Sequence, residues 1–167
     1  MNIVNGGAHA ANNLDIQEFM ILPHGAPSFG EGLRWCCEIY HTLGRTLRER
    51  GLAAGVGDEG GYAPDLDSDR QALERILEAV EAAGYVPGKQ VSLALDAAVS
   101  QWYLGEGRYR TPKGGREYTF RQLADWWEEL AGAYPLVSLE DGRGEDDWEG
   151  WRYLTKRLGS RLQLVGD

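Results

Sequence analysis

The chain has 167 residues, 43% of them hydrophobic and 26% charged, and carries a formal net charge of −9. The length suits one domain or part of one, and the absence of a run of about 18 apolar residues leaves no candidate membrane span. The charge argues against nucleic acid, which needs a basic surface to displace counterions, and leaves two readings open: a solvated acidic surface, or acids that converge on a cation.

The opening stretch MNIVNGGAHA lacks the basic start and apolar core of a signal peptide. Residues 1–4 and 16–22 read as strands separated by a Gly- and Asn-rich turn. Ser28 with Glu31 forms a capping signal for a helix whose apolar positions Leu33, Cys37, Tyr40 and Leu47 recur near helical spacing, and Gly51 is a natural stop. The adjacent Cys36 and Cys37 are badly placed to bond each other and show no zinc spacing, so both read as packing residues. A chain without disulfides fits a reducing compartment. A long loop over residues 52–69 leads into a second capped helix, with Ser68 and Gln71 as the signal and Leu73, Ile76, Leu77 and Val80 as its apolar face.

Three short apolar runs follow, ending at Asp96, at Glu140–Asp141 and at Asp167. Between them lie a helix capped by Thr119 and Gln122, and EDDWEGWRYLTKRLG, with acids first and bases last as a helix dipole prefers. Trp126, Trp127, Trp148 and Trp151 on these helices read as packing residues. Strands alternating with helices, and reading as buried on both faces, predict an α/β protein with a parallel sheet.

Asp96, Glu140 and Asp167 each close a predicted strand. In a β/α barrel such ends share one rim, where active sites are built. One acid there is an ordinary loop residue. Three on successive strands repel one another unless a cation intervenes, and oxygen-only ligands suit a hard ion, Mg²⁺ first. Asp58 and Glu59 in GVGDEGGYAP form either a polar turn or a loop that approaches a ligand. The same stretch mimics a dinucleotide fingerprint, but it follows a helix and precedes a proline, so that reading fails. Asp65, Asp67 and Asp69 alternate like a calcium loop, yet Arg70 and Ile76 stand where glycine and glutamate are needed, so they read as loop acids and helix-start charges. His9, in the glycine-rich first turn, faces either the interior or a ligand; His24 and His41 have no comparable context.

MNIVNGGAHAANNLDIQEFMILPHGAPSF, VGDEGGYAP, LALDAAVS, VSLEDG with EDDWEGW, and QLVGD, in this order, resemble the enolases, the phosphopyruvate hydratases. The resemblance implies a TIM-like barrel variant that opens with two strands and two helices. It implies Mg²⁺-dependent, reversible dehydration of 2-phosphoglycerate to phosphoenolpyruvate by a cytoplasmic glycolytic lyase, generally a homo-oligomer, with no nucleic-acid or membrane partner. Asp96, Glu140 and Asp167 match the Mg²⁺ ligands, Glu59 the proton donor to the departing hydroxyl, and His9, Gln17 and Glu18 substrate contacts. The family's lysine base, second lysine, Arg–Ser phosphate site and N-terminal domain match nothing in the chain. Residues 1–167 are therefore expected to be a partial barrel domain, about half of the roughly 250 residues a barrel needs, and inactive alone. The alternative is a non-catalytic binding or scaffold fragment. Gly142 stands where the family has proline and Gln101 where an acid is usual, and Gly30, Gly32 and Gly44 are expected to weaken the first long helix.

Overall fold

The computed structural model describes residues 1–167. Strands β1 (Asn2–Asn5) and β2 (Glu18–Leu22) come first, then helices α1 (Phe29–Glu49) and α2 (Asp69–Ala82). Strand β3 (Ser92–Asp96) is followed by three short strands, β4 (Tyr103–Gly105), β5 (Arg108–Arg110) and β6 (Glu117–Thr119). Helix α3 (Phe120–Ala133), strand β7 (Leu136–Glu140), helix α4 (Trp148–Leu158) and strand β8 (Gln163–Val165) complete the chain. The principal sheet is open, with order β1-β2-β3-β7-β8; β4, β5 and β6 form a separate three-stranded sheet.

The main sheet is mixed, whereas alternation of strands and helices predicted a parallel one. β1–β2 and β2–β3 pair antiparallel; β3–β7 and β7–β8 pair parallel. The connections explain this. Each helix reverses the chain, so the two helices between β2 and β3 return it antiparallel. A single helix between β7 and β8 gives the ordinary parallel crossover. The expected opening of two strands and two helices is present.

The cap signals hold in part. Ser28 accepts the Glu31 N–H at 3.3 Å and Ser68 accepts the Gln71 N–H at 3.2 Å. The reciprocal half of a capping box forms only at α3, where the Gln122 side chain also accepts the Thr119 N–H at 2.9 Å. Glu31 turns instead to Arg34 and Gln71 to Asp67.

The buried face of α1 is Gly32, Trp35, Cys36, Ile39, Leu43, Gly44 and Leu47. Leu33 is half exposed and Cys37 exposed, so the predicted stripe and the packing role of Cys37 are both corrected. The predicted stripe missed that glycine is a contact surface here. Gly44 lies directly under the Tyr62 phenol, which stacks on Tyr40 at 4.4 Å between centroids. Burial of the strands on both faces holds along β3, where Ser92, Leu93, Ala94 and Leu95 are all buried, and is corrected for β2 and β7. In β2, Phe19 and Ile21 are fully buried, while Glu18, Met20 and Leu22 alternate with them on a more open face. Trp102 and Trp127 are fully buried, but Trp148 is 68% exposed. α4 starts at Trp148 because Asp147 caps it, accepting the Gly150 N–H at 2.9 Å.

Candidate active site and metal centre

Sheet register brings the acids together. The Cα partners run Asn5 to Glu18, Glu18 to Asp96, Asp96 to Glu140, and Glu140 to Val165, across all five strands. β2 runs opposite to β3, so its first residue lies on the rim where β3 and β7 end. Glu18, Asp96 and Glu140 thereby form one row on adjacent strands. Asp167 lies two residues past Val165, and its N–H donates to Asp141 Oδ1 at 2.9 Å.

The row is fastened from behind by its loops. Ala98 N–H donates to Asp96 Oδ1 at 3.0 Å, and the Gln17 amide donates to Asp96 Oδ2 at 3.2 Å. Gln101 donates to Gln17 Oε1 at 3.1 Å and so orients that amide; an acid at position 101 would lose the donor. Ala97 N–H and Val99 N–H donate to the Glu140 and Asp141 carbonyls, each at 3.0 Å. Ala98 (φ 48°) and Asp141 (φ 46°) are left-handed, unusual for residues with a side chain.

Electrostatically the row is a concentration of negative charge. Burial raises the carboxyl of Asp96 above its ordinary value, and Asp141 adds to the shift. Burial also raises Glu140, reinforced by repulsion from Asp96, Asp141, Asp167 and Glu18. Glu18 is raised by burial and then by Asp96, with His9 opposing.

Glu59 reaches the row from the opposite side. The 3-10 turn Gly7–His9 follows β1, and the loop bearing Glu59 is tied to it: Asp58 N–H donates to the His9 carbonyl at 3.0 Å, and Tyr62 N–H to the Ile3 carbonyl at 2.9 Å. Gly61 permits this approach, because a Cβ there would stand 2.7 Å from Asn5 Oδ1 and 2.9 Å from the Val4 nitrogen. His9 Nδ1 lies 3.3 Å from Glu18 Oε1. His9, Glu18 and Glu59 offer ligand atoms all within 4.8 Å of one another.

The whole chain, residues 1–167, matches the family described as enolase, C-terminal TIM barrel domain. The chain belongs to this enolase family. Its open five-stranded sheet is a partial enolase barrel, and no helix is long and apolar enough to cross a membrane.

Enolases are generally metal-dependent, and the donors here fit a hard divalent ion. Asp96, Glu140 and Asp167 offer only carboxylate oxygens, on a rim where like charges already crowd one another. The three are not drawn within 4.8 Å of a common set; only the His9, Glu18 and Glu59 group is that close.

Several residues that support these acids and their neighbouring loops escaped sequence reasoning. Asp69 is not merely a loop acid. It is buried, and its Oδ1 accepts the N–H groups of Asp15 at 3.0 Å and Ile16 at 3.2 Å, fixing the segment that delivers Gln17 and Glu18. Burial pushes its carboxyl up to about 6, against those two donors. Asn12 spans the Asn5 and Pro64 carbonyls at 2.9 and 3.0 Å, and Asn13 exchanges hydrogen bonds with Leu66. The adjacent asparagines in AANNLD were the available signal. Behind Glu140, Arg143 is fully buried with no hydrogen-bond partner on any guanidinium nitrogen. Its neighbours are the Tyr109 ring, 5.9 Å away, and the Asp147 carboxylate, to which Tyr109 donates.

Proposed function

We propose that this chain is the acid- and metal-bearing segment of an enolase, acting on 2-phosphoglycerate and phosphoenolpyruvate in glycolysis. The observation that carries the reading is the register that lines up Glu18, Asp96 and Glu140 on neighbouring strands, with Asp167 just beyond.

Asp96, Glu140 and Asp167 would hold Mg²⁺. When bound, the ion supplies positive charge at the substrate carboxylate, where loss of the adjacent proton concentrates negative charge. Gln17 and Gln101 hold Asp96 in one orientation, and Ala98 N–H fixes its second oxygen. Glu59 donates the proton that lets the hydroxyl leave as water. Its loop places it beside His9 and Glu18, which position the substrate and surround the departing group. The proton-abstracting base is proposed to come from outside these residues, so the chain alone binds Mg²⁺ and substrate without turnover.

The test pairs calorimetric Mg²⁺ titration with a dehydration assay on 2-phosphoglycerate, in Mg²⁺ and in EDTA. The expected result is Mg²⁺ binding that strengthens with substrate and is lost in Glu140→Gln, without product. Mg²⁺ affinity unchanged in both Glu140→Gln and Asp96→Asn overturns the metal assignment. A folded chain that binds neither ligand supports a scaffold role.

A further inference from the structure

We propose that a polar cleft between the start of α2 and the β5–β6 hairpin binds a free α-amino acid with an aromatic side chain, and that its occupation steadies the Mg²⁺ row. The coupling rests on the enolase reading; the binding stands without it.

The cleft holds about 330 Å³, within the range of small-molecule sites. Asp15, Asp67, Asp69 and Arg116 line it, and none of the rim carboxylates does. Its apolar wall is Tyr118 and Trp126, stacked at 5.7 Å between centroids.

Two observations point to a ligand that carries both signs of charge. Asp69 is more than nine-tenths buried yet lines the cleft, and only one of its oxygens is engaged. Oδ1 takes the Asp15 and Ile16 N–H groups, while no other residue donates to Oδ2. Asp15 repeats the pattern: its Oδ1 accepts the Lys113 and Gly114 N–H groups at 2.7 and 3.0 Å, and its Oδ2 is left free. The second observation is that Asp15, Asp67, Asp69 and Arg116 share one cleft and none of them forms an ion pair. Arg70, on the same cleft, is by contrast paired with Glu129 at 2.7 Å.

An α-amino acid answers both signs. Its ammonium has three donors to share between Asp69 Oδ2 and Asp15 Oδ2, and its carboxylate suits the guanidinium fork of Arg116. A nearby cation favours the charged form of Asp69, whose carboxyl burial pushes up to about 6. A flat ring lies against Tyr118 and Trp126. A ligand with only a positive charge leaves Arg116 opposing it, and one with only a negative charge meets three carboxylates. Asp69 also holds the backbone that leads to Gln17, whose amide donates to Asp96 Oδ2. An ammonium bridging Asp69 and Asp15 favours the state in which this segment is docked, and with it the oriented Asp96.

The experiment titrates the full chain with L-phenylalanine at neutral pH, read by calorimetry and by tryptophan fluorescence. Phenethylamine and 3-phenylpropionate, each keeping one of the two charges, are the comparison probes. The expected result is one L-phenylalanine per chain, with affinity about tenfold weaker or more for either comparison probe. Affinity for L-phenylalanine falls about as far in Asp69→Asn and in Arg116→Gln, and stays within about twofold in Arg45→Gln. Asparagine keeps an oxygen for the Asp15 and Ile16 N–H groups, and Arg116 is exposed, so both variants are expected to fold. No binding at about 10 mM, phenethylamine as tight as L-phenylalanine, or affinity unchanged in Asp69→Asn overturns the site. Saturating L-phenylalanine is expected to raise Mg²⁺ affinity about fivefold, and Mg²⁺ to raise L-phenylalanine affinity equally. Unchanged Mg²⁺ affinity overturns the coupling. The same binding pattern in a chain that takes up no Mg²⁺ upholds the site and fails the enolase reading, the coupling with it.

Discussion

Replacing Asp69 by asparagine isolates one buried charge. The side chain is 8% exposed, and its carboxyl is pushed from 3.8 to about 6, chiefly by burial. Asparagine keeps an oxygen for the Asp15 and Ile16 N–H groups and removes the charge. Between about pH 3.8 and 6 the folded chain binds more protons than the unfolded one. The stabilising contribution of protonated Asp69 is thus complete below about 3.8 and is lost as pH rises through about 6. A shift of about 2 pH units corresponds to about 3 kcal/mol. Asp69→Asn is therefore expected to exceed the wild type in stability by about 3 kcal/mol at about pH 8, the margin shrinking towards about pH 4. Urea unfolding followed by tryptophan fluorescence, repeated across that range, measures the difference. A margin that does not change with pH refutes the reasoning. It would mean that the two backbone donors outweigh desolvation and hold Asp69 near the ordinary carboxylate range.

Arg143→Met should stabilise the chain by about 1–4 kcal/mol, as replacing buried charge by packed apolar volume often does; a loss of that size in denaturant titration would show the guanidinium to be well compensated. Trp127→Phe removes the indole N–H that donates to the Gly142 carbonyl at 3.1 Å in a buried position, at an expected cost of about 1–3 kcal/mol in the same assay. Mg²⁺ at about 100 times its dissociation constant should raise the stability of the wild type by about 2.7 kcal/mol and leave Glu140→Gln unmoved, read from thermal unfolding with and without EDTA. An equal response in both would place the ion elsewhere.

The strand ends that carry Asp96 and Glu140 were legible because a buried apolar run that stops on an acid marks both the strand and its rim. What the sequence could not supply was the register. That Glu18 joins them follows from β2 running antiparallel, a consequence of two helices in the following connection. The small sheet of β4, β5 and β6 went unread although its signal was present. Glu106 (φ 52°) and Gly107 (φ 67°) in LGEGRYR make the hairpin turn that two consecutive left-handed residues define. Arg143 was invisible for a different reason: a charged residue between two glycines reads as a solvated turn, and only tertiary packing reveals that it is enclosed. The face of α1 was misphased because apolarity was counted while the flat contact at Gly44 was not.

Ala98 and Asp141 sit just past the acids of β3 and β7 in a conformation that costs about 1–3 kcal/mol for a residue with a side chain. Glycine at either place would relax the backbone and make the chain more robust, yet it would also free the two loops whose cross-strand bonds keep the carboxylates in line. Robustness and readiness are therefore opposed at these two positions. Selection for thermal endurance would favour glycine there, and selection for a prearranged charge cluster would keep alanine and aspartate.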